Sequence, residues 1–116
     1  MSDFEFGEIE VRYKSTSWGP WGFDFSDALP EGSVIASVTI RSFLGKIDPG
    51  EELTGFTEST TELIDAVKSL PIGDKLVAVY FNYPGAALEG NHSLIFEVTL
   101  VGGAQHPFYF YKVKVH

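Results

Sequence analysis

The chain predicts an all-β fold: an immunoglobulin-like β-sandwich of about seven strands, with one short helix within residues 60–70. Three observations lead there. Stretches of apolar residues alternating with polar ones recur along the chain, most clearly at residues 33–43 and 108–115. Clusters of Gly, Pro, Asn and Asp punctuate them at the spacing of strand connections. No strand-helix unit repeats, and no linker or low-complexity segment interrupts the 116 residues, which read as one domain spanning 1–116.

In chain order, Glu8 to Lys14 places Ile9, Val11 and Tyr13 between charges, as a half-buried strand does. The following Ser15 to Gly22 is a Gly-Pro loop that carries both tryptophans, Trp18 and Trp21. A short extended piece, Phe23-Asp-Phe25, leads into an acidic turn through Ser26, Asp27, Pro30, Glu31 and Gly32. From Ser33 to Phe43 runs the most regular strand, expected to set Val34, Ala36, Val38 and Ile40 against Ser37, Thr39 and Arg41. Ile35 and Phe43 break that pattern, so its second face is not wholly solvated. Residues 45–55 form a turn-rich acidic excursion.

Ser59-Thr-Thr-Glu62 has the form of a capping box, and Leu63, Ile64, Val67 and Leu70 follow at helical spacing before Pro71. A short amphipathic helix or a single turn of it fits this pattern; a pair of irregular strands is the opposing reading, because so short a helix needs tertiary packing. Leu76 to Tyr83 is apolar at nearly every position and predicts a strand covered on both faces. Finally, residues 93–101 and 108–115 predict a hairpin around Gly102-Gly103. The last strand is expected to alternate Phe108, Phe110, Lys112 and Lys114 against Tyr109, Tyr111, Val113 and Val115.

Composition narrows the function classes. Sixteen acidic residues face eight basic ones, for a net charge of −8. Nucleic-acid affinity rests on Lys and Arg neutralising phosphates, so a nucleic-acid partner is not expected. There is no cysteine, hence neither a disulfide framework nor a thiolate metal site. The first residues lack the basic and apolar regions of a secretory signal, and no segment approaches a membrane span.

Phe23-Asp-Phe-Ser-Asp-Ala-Leu-Pro-Glu-Gly-Ser-Val-Ile-Ala-Ser-Val-Thr-Ile40 resembles the leading segment of small immunoglobulin-like structural proteins of tailed bacteriophages and prophages. The shared pattern falls on Asp24, Phe25, Ser26, Leu29, Gly32, Ile35, Ala36 and Ser37. The second half fits more loosely, through the strand ending at Tyr83-Pro-Gly85, the Gly90 turn and the two last strands. Members of that family are virion structural or fibre-tail adaptor proteins. The resemblance implies a structural role, in the virion or in the bacterial cytoplasm during assembly, with other virion proteins or copies of the chain as partners. It carries no catalytic residue to transfer.

Independently of any family, Asp24 and Ser26 suit a turn, since a short polar side chain bonds nearby backbone N–H groups. Gly32 can take the positive φ that reverses the chain. Interface candidates are Trp18 and Trp21, costly to expose on a loop, and Tyr109 and Tyr111 on the terminal strand, which could present an edge. A carbohydrate-binding module is the alternative, using Trp18, Trp21, Tyr80, Tyr83, Tyr109 and Tyr111 as a stacking platform; the same rings also suit a core or a subunit contact.

A small hydrolase ranks third. His92, His106 and His116 show no metal spacing, His92 and Ser93 point to opposite faces of a strand, and no nucleophile elbow is present. Asp48, Glu51 and Glu52 offer a weak Ca²⁺ alternative without the spacing of a dedicated loop. The expectation is a non-catalytic module without cofactor, metal or catalytic residues.

Overall fold

The computed structural model describes residues 9–11, 19–82 and 89–116, with every side chain among them except that of Tyr111. Trp18, Tyr13 and Tyr83 lie outside the described residues. Within them run seven strands: β1 Ile9–Val11, β2 Trp21–Asp24, β3 Ile35–Leu44, β4 Leu70–Pro71, β5 Leu76–Val79, β6 Gly90–Leu100 and β7 Gln105–Val115. They form a four-stranded sheet, β1-β7-β6-β3, and a three-stranded sheet, β2-β5-β4. β1 runs parallel to β7, and the other pairs are antiparallel. Lettered A to G in chain order, these are the CFG and BED sheets of an immunoglobulin-like sandwich, with the first strand laid beside G rather than B. The fold is the predicted immunoglobulin-like β-sandwich.

Aromatic residues join the two sheets. Antibody domains tie strands B and F with a disulfide. This cysteine-free chain instead sets Phe23 of β2 against Phe96 of β6, with ring centroids 4.7 Å apart. Phe23 also meets Phe110 of β7 edge-on at 5.3 Å, and Phe25, just past β2, stacks on Phe108 at 4.8 Å. Each such pair adds about 0.5–1.5 kcal/mol beyond the area it buries. Around them pack Val77 and Val79 of β5, Leu94 and Val98 of β6, and Leu63 and Ile64.

A second, smaller cluster sits on the outer face of the four-stranded sheet. Phe43, Ile47 and Ile95 are buried there with Leu53, Phe56 and Tyr109 packed against them. The excursion after β3 is therefore more than a surface turn. Ile47 is a fully buried anchor, and its N–H donates to Ser93 Oγ at 3.0 Å, while Ser93 donates to Gly45 O at 2.6 Å. That cover explains why Phe43 breaks the alternation of its strand.

Three expectations need correction. In β3 the register shifts between Ile35 and Ser37, so Ile35 turns into the core with Ile40 while Val34 and Ala36 are exposed. In β7 the register shifts opposite His92 and Ser93, and Lys112 is the extra residue, at φ 143°. The bulge flips the pattern, and Phe108, Phe110, Val113 and Val115 all face the core.

The third correction concerns the residues after the helix, which is the single turn that the sequence allowed. It is one turn, α1 Thr60–Leu63, and Ile64 is already extended and bridged to Phe81. Ser59 makes no side-chain cap bond, and Val67 and Leu70 are exposed rather than continuing a helical face. Tertiary bonds win over the short helix here: Asp65 N–H donates to Tyr80 O and Asn82 N–H to Leu63 O, drawing the segment alongside the chain that follows β5.

Candidate functional site

The turn after β2 forms one wall of a polar groove. Phe23 and Phe25 both turn inward, so Asp24 between them faces out. Its Oδ1 accepts the Ser26 backbone N–H at 2.9 Å and also the Ser26 hydroxyl. That hydroxyl bond, before the backbone one and the nearby Lys75, holds the Asp24 carboxyl below its ordinary value of 3.8. Gly32 stands at φ 79°, the positive value expected for the reversal into β3.

The β4–β5 turn supplies the opposite wall, tied in by Phe25 N–H to Lys75 O and Ile35 N–H to Asp74 O, both 2.8 Å. The resulting groove of about 460 Å³ is lined by Asp24, Ser26, Gly32, Ser33, Asp74, Lys75 and Leu76. All three turn residues expected from the sequence meet there. Asp74 and Lys75 come from a distant turn with no local signal to announce them.

The interface candidates are placed less uniformly. Trp21 is half-buried with its ring against the main core, and its indole N–H is buried without an acceptor among the described residues. Tyr109 packs on the outer cluster beside Phe43 and Ile95. Of Tyr111 only the backbone is described, paired with Ser93. β7 is not a free edge throughout, since β1 covers its end at Val113–Val115 and β6 its whole inner side.

Asp48, Glu51 and Glu52 are exposed, with Asp48 leaning to Lys46 at 3.8 Å. Among the described residues no three His, Asp or Glu side chains gather as a group that could hold a metal ion.

A buried hydroxyl–imidazole chain closes one end of the core. Ser42 Oγ lies 3.0 Å from Ser59 Oγ, which lies 3.0 Å from His92 Nδ1. A serine beside a histidine has the elements of an activated nucleophile. Ser59 is 4% exposed and His92 0%, however, so the pair is closed to a substrate in solution. The network satisfies buried polar groups and pins α1 to β3 and β6. The sequence hid it, because Ser59 matched a capping box and its partners lie 17 and 33 residues away.

One further surface stands out. Val77 and Val79 belong to the core, so half-buried Leu76 and Ala78, itself only 2% exposed, lie on the other side of β5, with Gly22 and Asp24 beside them on β2 and Leu70 opposite Ala78 on β4. Ile72, bonded through its N–H to Leu76 O, extends that face. Leu70 is 53% and Ile72 61% exposed.

Comparison of the chain with protein-family models, curated proteins and solved structures gives no match. No helix among the described residues is long and apolar enough to cross a membrane.

Proposed function

We propose that the chain is a non-catalytic assembly module, a structural protein of a tailed-phage or prophage virion that acts at the tail or head–tail junction through protein–protein contacts. The observation that carries this reading is the pair of large apolar side chains, Leu70 and Ile72, held exposed on an edge strand. Exposed apolar edges invite pairing with another chain, and soluble proteins ordinarily blunt them. The phage-like segment, residues 23–40, supports the virion placement. It supplies the core phenylalanines Phe23 and Phe25, the Asp24 turn and the start of β3.

Neither alternative gains a specific observation. Trp21 and Tyr109 are packed against the two clusters, and the Ser59–His92 pair is closed to solvent. The test is to induce the prophage of the bacterium that encodes the chain, band the particles by density and quantify the chain by mass spectrometry. The chain is expected at a fixed ratio to the other particle proteins. Abundant chain in the lysate with none in banded particles would contradict the virion role.

A further inference from the structure

We propose that the outer face of the three-stranded sheet is the docking surface of this module, and that it takes a protein partner with an apolar centre and a Lys- or Arg-rich rim. The inference rests on the assembly reading above and gives it a place and a chemistry. The face is built by alternation. Phe23, Val77 and Val79 turn inward, which leaves Gly22, Asp24, half-buried Leu76, Leu70 and Ile72 on the other side of the same sheet, around an Ala78 that is already buried. Its apolar part is formed by Leu76, Leu70 and Ile72, and it lacks bulk on the β2 side, where Gly22 presents no side chain and the nearest contact of a Cβ there would be Leu76 Cδ1 at 3.6 Å. Leu70 and Ile72 are more than half exposed beside it.

Charge selects the occupant. Asp24 and Asp74 flank Leu76 in the adjoining groove with Lys75, and exposed Glu31 stands next to its Gly32. A second copy would bring the same acidic rim and another −8 to the contact. Like charges across an interface raise its cost, whereas a cationic rim is steered onto it and paired. A membrane or nucleic acid, both anionic, is disfavoured for the same reason. The apolar centre supplies affinity and the rim supplies selection.

The test is an amide NMR titration of the isotope-labelled full chain with an amphipathic Leu/Lys peptide, and with a Gly/Lys peptide of equal length and charge as control. Shifts are expected at Gly22, Leu70, Ile72, Leu76 and Ala78, with the Leu/Lys peptide binding at least about tenfold tighter than the control. The double variant Leu70→Ser/Ile72→Ser, at exposed positions, should lose that tenfold advantage while its other amide signals keep their places. Asp24→Asn should flatten the salt dependence.

Equal affinity for both peptides, or shifts centred on another face, overturns the inference. So does concentration-dependent broadening of these same signals in the chain alone, which would make the occupant a second copy. These outcomes leave the assembly reading standing; absence of the chain from banded particles would remove the reading itself.

Discussion

Ser59 shows how one side chain can serve three elements at once. Its hydroxyl bridges Ser42 and His92 in a site closed to water, so removing it strands two buried polar groups. Ser59→Ala should cost about 1–3 kcal/mol, read as a lowered urea midpoint with unchanged slope. Glu58, one residue earlier, works at the surface. It accepts from Arg41 Nη2 at 3.0 Å and Nε at 3.2 Å, and from Thr60 Oγ1 at 2.9 Å. The Arg41 bonds, then Thr60, hold its carboxyl below the ordinary 4.5. A carboxyl lowered on folding binds fewer protons folded than unfolded, so its contribution is complete above about pH 4.5 and fades as pH falls through the lowered value. Asp24 behaves alike around its own lower range. Glu58→Gln should therefore flatten the acid side of a stability-against-pH curve and change little at neutral pH beyond the loss of an exposed ion pair.

At the scale of elements, alternation marked β1, β3 and β7, β5 showed as an apolar run and β4 fell inside a helical pattern, while the bulges that decide which faces are buried were not legible. A bulge adds one residue without any composition signal unless that residue is glycine. In β7 the extra residue is Lys112, at a φ that side chains rarely adopt. Lys112→Gly should leave stability unchanged or raise it by about 1 kcal/mol, because relief of the backbone offsets the entropy glycine adds to the unfolded chain. The same change at Lys114, in regular strand, should cost about 0.5–1 kcal/mol. Comparing the two urea midpoints checks the bulge directly.

The single turn at Thr60–Leu63 teaches a related lesson. Its capping box was a local signal, and the partners that drew Ser59 elsewhere came from strands far along the chain. The Asp24–Ser26–Gly32 turn was legible because its bonds are local. The groove's other wall and the apolar outer face were not, since both depend on which strands become neighbours.

For the whole molecule, the absence of cysteine is answered by rings. The BED and CFG sheets meet through Phe23, Phe25, Phe96, Phe108 and Phe110, where a disulfide stands in antibody domains. Phe96→Ala should cost about 3–5 kcal/mol. A double-mutant cycle with Phe23→Leu and Phe96→Leu should show a coupling of about 0.5–1.5 kcal/mol.

A sandwich so joined has its cores filled on the inside and under the excursion after β3, and Leu70 and Ile72 remain exposed at the smaller sheet, as do Val67, Val101 and Leu44 outside it. The proposed role is contact with other proteins. The most direct test is absolute mass by light scattering, across a wide concentration range, for the chain alone and mixed with the tail and head-joining proteins of the particle proposed for it. A discrete species heavier than one chain in the mixture is the predicted result. The mass of a single chain under both conditions would contradict it.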